Sequence, residues 1–318
     1  MIDVVALGEL LIDFATLNTD GEGYPTMAAH PGGAPANFLA ALAKFGGKTA
    51  LLGKVGSDTF GRLLTRTLQK AGIETKGLVV TGDVFTTLAF VTFDKDGDRE
   101  FAFSRKPGAD TCLRFEELDL SLIDQARVFH FGTLSLTDEP ARTATRKAVA
   151  YAKNAGKLIT YDPNLRKPLW KDPDAAREQL LWGLSLADVV KISDEEAEFL
   201  FGLGPEEGAR YILDNFGVKL VFVTCGAEGC YFQNANARGH VPSLSRIHVI
   251  DTTGAGDIFG GSAVWKLLQT GKAPETLTEA ELREIVTFAC ASAGLSTTRP
   301  GGISSVPSYA EVLAAMEK

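Results

Sequence analysis

The chain is short of the residues that build metal clusters and covalent cross-links. It has four cysteines, Cys112, Cys225, Cys230 and Cys290, and four histidines in 318 residues. No two cysteines stand in CxxC spacing. A zinc site is therefore not expected, and reduced core thiols are. Positive charge is in deficit as well: 32 Lys and Arg against 40 Asp and Glu give −8, the opposite of a nucleic-acid footprint. A bound anion would need local donors, a helix dipole or a metal rather than the field of the whole chain. No uncharged run approaches the ~18 residues of a membrane span. The opening MIDVVALGELLIDF carries Asp3, Glu9 and Asp13 and lacks the basic start of a signal peptide. These absences make cytoplasm the expected setting. Linkers, low-complexity tracts and internal repeats are also missing.

Hydrophobic residues make up 45% and glycines number 33, enough for a sizeable core and many tight turns. Strand-like and helix-like runs alternate. Val4 to Leu7 precedes a helical Ala34 to Phe45, and Ala50 to Leu52 precedes Phe60 to Lys70. Val128 to Phe131 precedes an amphipathic Pro140 to Asn154. Leu158 to Tyr161, Asp188 to Ile192 and Leu220 to Val223 continue the strand series. Alternation of this kind predicts parallel βαβ units with helices on both faces of one sheet, an α/β domain spanning residues 1–318. Two segments, about 14–30 and 84–105, break the rhythm. The second reads as two strands around the turn Lys95-Asp96-Gly97-Asp98, either a surface hairpin or a β lid over a cleft. Large side chains at Phe101, Phe103 and Arg105 put one face of it over something.

The most specific string is Asp251-Thr252-Thr253-Gly254-Ala255-Gly256-Asp257. It follows an apolar β-type run, Ile247 to Ile250, and opens an apolar helical run, Phe259 to Leu268. Small residues at a helix start let N–H groups point at an anion, and the helix dipole favours negative charge there. Asp257 beside such a hole fits an acid that takes a proton from a nucleophile attacking a phosphate. A dinucleotide GxGxxG would need glycine where Phe259 stands, and no Walker A string occurs.

Five further segments are candidates, each with an ordinary structural alternative. Pro31-Gly32-Gly33-Ala34-Pro35-Ala36-Asn37 starts a helix with Asn37 about one turn in, where its amide suits a sugar hydroxyl or is an ordinary polar face. Asp13, at the end of the first apolar run, can accept hydroxyl protons or cap a turn. Tyr161-Asp162-Pro163-Asn164-Leu165-Arg166 is turn chemistry with an arginine beyond it that can reach a phosphate or sugar oxygen. Ser193-Asp194-Glu195-Glu196 reads as a helix cap, with Glu196 as an alternative holder of water on Mg²⁺. Thr224 to Gly229 is a strand and Gly turn, a nucleotide wall or a hairpin.

Taken in order, these strings resemble the PfkB or ribokinase-like family of carbohydrate kinases, from the first strand to about Pro307. Tyr161 to Trp170 and Phe103 to Asp110 are similar to its fructose-phosphorylating members. The resemblance implies a three-layer αβα, doubly wound, mostly parallel sheet with a small β-sheet lid. It implies ATP with Mg²⁺ and a sugar as substrates, and transfer of the γ-phosphoryl to a primary hydroxyl of D-fructose, O6 expected. Asp257 would be the base and the amides of Gly254, Ala255 and Gly256 the anion hole. Asp13, Gly33, Asn37, Phe101 or Phe103, and Arg166 would bind substrate. Ser193, Thr224, Gly226, Gly229, Gly256 and Cys290 would line the nucleotide site.

The family's Asn-x-x-Glu appears as Ser193 to Glu196, so only Glu196 keeps the magnesium role. A monovalent cation, K⁺, would use carbonyls of Asp251, Thr253, Ser296, Arg299 and Gly301 with the Ser305 hydroxyl. Partners would be sugar and ATP, not nucleic acid or membrane, with a homodimer through lid edges. The alternatives are a ribose or 2-keto-3-deoxygluconate kinase of the same fold, a silent binding protein, and a nucleotide-binding oxidoreductase disfavoured by Phe259.

Overall fold

The structure, a computed structural model, describes residues 1–93, 99–245 and 247–317. Its strands in chain order are β1 (Ile2–Leu7), β2 (Leu11–Thr19), β3 (Pro25–Gly32), β4 (Thr49–Gly56), β5 (Ile73–Glu74), β6 (Leu78–Thr81), β7 (Leu88–Phe93), β8 (Arg99–Ser104), β9 (Ala126–Gly132), β10 (Leu158–Asp162), β11 (Val189–Ser193), β12 (Leu220–Thr224), β13 (Cys230–Asn234) and β14 (Arg238–Val241). Its helices are α1 (Ala34–Lys44), α2 (Thr59–Lys70), α3 (Leu120–Gln125), α4 (Ala141–Asn154), α5 (Pro173–Leu184), α6 (Asp194–Phe201), α7 (Pro205–Phe216), α8 (Ala255–Thr270), α9 (Glu279–Ser296) and α10 (Tyr309–Met316).

Ten strands form the larger sheet, in the order β14-β13-β12-β11-β10-β9-β1-β4-β5, with β6 also paired to β4. From β12 across to β5 every pairing is parallel; β13 and β14 add an antiparallel edge. Strand periodicity sorts the core. On β1, Val5 and Leu7 join a cluster with residues of α4 to α7, while Val4 and Ala6 face α1, α2 and α8. Val4 and Val5 are both fully buried. Covering both faces is why this strand reads as an unbroken apolar run, each such side chain contributing roughly 1.5–3 kcal/mol. The three-layer arrangement expected from the alternation is present.

A separate four-stranded sheet, β3-β2-β7-β8, forms the lid. Both irregular segments of the sequence contribute to it. Strands β2 and β3 are an antiparallel hairpin, β7 and β8 are another, and β2 joins β7 in parallel. The turn at Lys95 to Asp98 lies outside the described residues. Alternation again assigns faces. Phe14 stacks on Phe90 with centroids 5.3 Å apart and meets Phe60 of α2 edge-on at 5.5 Å, while Asp13 turns to the opposite side. Arg105, just past β8, is buried. It donates from Nε to Asp110 Oδ2 at 2.8 Å, from Nη1 to Thr137 Oγ1 at 2.8 Å and from Nη2 to the Leu134 carbonyl at 2.7 Å. The lid is thus fastened at its base by aromatic packing and by a buried ion pair.

Two expectations are corrected. Ile247 to Ile250 is not a strand. The segment is irregular, Val249 and Ile250 are exposed, and the amides of Ile250 and Asp251 bond to the Thr297 carbonyl at 2.8 and 3.1 Å. β14 ends the sheet, and among the described residues no strand pairs with this segment. The first apolar run, which Asp13 ends, is not one piece either: β1 stops at Leu7, and Asp13 sits on lid strand β2 opposite His30.

Candidate active site

The carboxyl ends of β1, β9, β10 and β11 open onto a cleft of about 530 Å³, roofed by Asp13, Val91 and Phe103 of the lid. This is where open α/β sheets hold ligands. At its floor begins α8. Gly254 precedes the helix with φ 75°, a left-handed conformation that glycine adopts without penalty. A Cβ there would come within 2.9 Å of Asn37 Nδ2.

The next turn carries Asp257, only 5% exposed. Both of its oxygens are held. Oδ2 accepts from Asn37 Nδ2 and Oδ1 from Asn164 Nδ2, each at 2.9 Å. Asp257 stands in the first turn of α8, at the positive end of the helix dipole.

The three amides expected as an anion hole are not equivalent. Ala255 N–H is already donated to the Thr252 carbonyl at 3.2 Å. The amides of Gly254 and Gly256 have no protein acceptor among the described residues. Beneath Gly256 lies the ammonium of Lys191, 2.9 Å from where a Cβ would stand. Lys191 is paired with Asp162 Oδ2 at 3.2 Å. Burial pushes the Asp162 carboxyl up and the Lys191 charge opposes it; in turn Asp162, Glu196 and Asp257 hold Lys191 protonated against its own burial. A fixed positive charge therefore reinforces the start of α8.

Asn37 stands where the Pro-started helix α1 was expected to place it, lining the cleft, and its amide nitrogen gives one of its two donors to Asp257. Its Oδ1 is buried with no partner, pressed against Gly302. Gly33 is the residue before α1, with φ 119°, and a Cβ there would strike the Glu9 carbonyl oxygen at 2.4 Å. Glu9 caps the helix from outside, its Oε1 accepting from Ala34 N at 2.8 Å, and burial raises its pKa to about 7. Behind Asn37, Phe38 stacks on His130 at 3.7 Å, and burial with the Lys191 charge depresses that imidazole to about 3, so it is neutral.

The Asp13 carboxylate has no hydrogen-bond partner among the described residues and faces the cleft. Burial lifts its pKa to about 6, with the Arg166 charge pulling the other way. Arg166 is exposed at the rim, and among the described residues its guanidinium makes a single, long 3.5 Å hydrogen bond, to the Leu165 carbonyl. Phe103 lines the cleft, whereas the side chain of Phe101 lies outside the described residues.

Ser193 and Glu196 also line the cleft, and they form the expected cap. Ser193 Oγ accepts from Glu196 N at 3.1 Å, and Glu196 Oε2 accepts from Ser193 N at 2.9 Å. Glu196 Oε1 also accepts from Leu165 N at 2.7 Å. Thr224, Gly226, Gly229 and Cys290 line no part of this cleft. The first three form the β12–β13 turn, and Cys290 is buried in α9, its thiol pushed up to about 12 by burial.

The residues expected around a monovalent cation are drawn together. Asp251 Oδ1 accepts from Thr253 N and Oγ1 at 2.9 and 2.7 Å, and Oδ2 accepts from Gly301 N at 2.8 Å. Ser296 O accepts from Arg299 N at 3.2 Å, and Ser305 Oγ donates to Gly302 O at 2.9 Å.

Sequence reasoning missed Asn164, Lys191, Glu9 and Gly302. The only local signal for Asn164 was its Asp-Pro-Asn turn, which explains its φ of 51° but not its partner.

The family model of pfkB carbohydrate kinases matches residues 1–309. Fructokinase-1 of Zea mays is 43% identical over 99% of this chain and 98% of its own length. Among solved structures, fructokinase with bound ATP from Xylella fastidiosa superposes with TM-score 0.91 at 32% identity, covering 100% of this chain and 99% of that one. A double-mutant fructokinase from Vibrio cholerae, bound to fructose, ADP and potassium ion, gives 0.86 at 31% identity over 99% and 98%. Matched along nearly its whole length in sequence and in fold, the chain belongs to the pfkB family of carbohydrate kinases.

Proposed function

We propose that this protein is a fructokinase of a single domain, moving the γ-phosphoryl of MgATP to O6 of D-fructose. One observation carries the reading: an amide-held carboxylate, Asp257, sits in the first turn of α8, in the same cleft as an unpartnered hydroxyl acceptor, Asp13. Similarity to fructokinases supplies the sugar.

In this mechanism Asp13 accepts fructose hydroxyls under the lid, and Phe103 covers the ring. Asp257 takes the proton of the attacking hydroxyl while its oxygen bonds to the γ-phosphorus and the bond to the ADP oxygen breaks. The free amides of Gly254 and Gly256, with the helix dipole and Lys191 below, meet charge on the group in transit. Arg166 can reach it from the rim. Positioning and electrostatics supply most of the acceleration in such transfers. Lid cover keeps water from competing.

Mg²⁺ enters with ATP as part of the substrate. Glu196 spends one lone pair of each oxygen on Leu165 and Ser193 and keeps others for a water on that ion. The oxygen donors at Asp251, Thr253, Ser296, Arg299, Gly301 and Ser305 suit a monovalent cation, which when bound would stiffen the loop before the anion hole. Thr224, Gly226, Gly229 and Cys290 stay assigned to the adenosine end of the nucleotide, beyond the cleft described above. A homodimer would use the lid edges β3 and β8, with Leu17 and Tyr24 exposed nearby.

The test is product identification by NMR after incubation with MgATP and fructose, ribose or 2-keto-3-deoxygluconate. Fructose 6-phosphate as the preferred product is expected; absence of any phosphorylated sugar would overturn the reading. Asp257→Asn should lower kcat by ~10²–10⁴ with ATP binding retained.

A further inference from the structure

Asn164 is built unlike any other residue of the cleft. Among the described residues it is the one non-glycine with a left-handed φ, 51°. Asparagine tolerates that region better than most side chains, and residues held there concentrate at functional sites. It is buried, and its Nδ2 ends on Asp257 Oδ1, 93 positions away in the chain. Its Oδ1 has no partner among the described residues and is not among their sealed, unsatisfied polar atoms, while the residue lines the cleft. The amide therefore has one end on the carboxylate and the other toward the ligand space. Asn37 contrasts with it: its Oδ1 is sealed off.

The chemistry of the donor matters. A general base must be oriented yet remain basic. Lys191, the nearest buried cation, is turned to Asp162 instead. Two neutral amides fix both oxygens of Asp257 without adding a formal charge, and each oxygen keeps a lone pair for a proton.

We propose that Asn164 is a positioning residue for phosphoryl transfer. Its left-handed backbone aims Nδ2 at Asp257 Oδ1, and its Oδ1 accepts a hydroxyl of the bound sugar, coupling sugar placement to the orientation of the base. This inference rests on Asp257 being that base.

Three variants of the full chain test it, with fructose and MgATP in steady-state kinetics. Asn164→Gly keeps the backbone conformation and removes the amide. It should lower kcat about 10- to 100-fold, raise KM for fructose and leave KM for ATP within about threefold. Asn164→Asp is isosteric but sets a second carboxylate against Asp257; it should lower kcat further at unchanged ATP affinity. Asp257→Asn separates the two readings. Crippled Asp257→Asn beside an Asn164→Gly variant of near-wild-type kcat would overturn the inference and leave the base assignment standing. Near-wild-type turnover in Asp257→Asn would overturn both. A loss in Asn164→Gly that raises KM for ATP as much as it lowers kcat would mark a merely structural residue and also overturn it.

Discussion

Gly302 touches no ligand in the mechanism above, yet a single methyl there should slow the enzyme. Its backbone, φ −88° and ψ −75°, is open to alanine, so the substitution carries no conformational penalty of its own. The penalty is contact. A Cβ at 302 would stand 2.2 Å from Asn37 Oδ1, 2.5 Å from Cγ and 2.6 Å from Nδ2. Ordinary van der Waals contact needs about 3.5 Å, so the amide must retreat by roughly 1 Å. Asn37 donates to Asp257 at 2.9 Å, and such a retreat breaks or bends that bond. A hydrogen bond to a charged group contributes about 1.5–3 kcal/mol. Lost from the orientation of the base, that corresponds to about a 10- to 100-fold fall in kcat. The assay is kcat for Gly302→Ala at saturating fructose and MgATP, beside its melting temperature. Wild-type kcat, or a drop in melting temperature with kcat untouched, would refute the reasoning.

Asp13→Asn should raise KM for fructose about 10- to 100-fold with little change in kcat, since a charged acceptor is lost before the chemistry begins. In the wild type, the raised pKa of Asp13, about 6, makes KM for fructose climb as pH falls below that value; steady-state kinetics across pH should show the climb, and its persistence in Asp13→Asn would assign it elsewhere. Glu9 titrates near 7 in the folded chain against 4.5 ordinarily, so its stabilising proton is fully bound below pH 4.5 and lost as pH rises through 7. Melting temperature should therefore fall between pH 5 and 8, and Glu9→Gln, which still accepts from Ala34, should flatten that slope. An unchanged slope would remove Glu9 as its source.

Much of the layered fold was legible because parallel strands and their covering helices carry long apolar periods. The helix start at Gly254, with Asp257 in its first turn, was legible because it is written in consecutive residues. Failures came where meaning is set by a distant neighbour. Ile247 to Ile250 has strand composition but, among the described residues, no strand paired with it, and the run ends exposed. Asp13 follows Gly8 without punctuation, so nothing local announced that the chain had left one sheet for another. Asn164 and Gly302 belong to the site through partners on other elements. Only the folded chain places Asn37 between Gly254, Gly302 and Asp257.

The two sheets divide the labour of the cleft. Asp13 rides on the smaller one and Asp257 on a helix packed against the larger, so a sugar that bonds to both becomes a strut between two bodies. Part of its binding free energy is then spent on, or supplied by, the pose of one sheet on the other. The two bodies meet at an aromatic joint: Phe14, stacked on Phe90 within the lid, against Phe60 of α2. Phe14, Phe60 and Phe90 are not among the residues that line the cleft; under the proposed mechanism, substitutions at this joint should change affinity for the sugar without altering an atom of the first turn of α8.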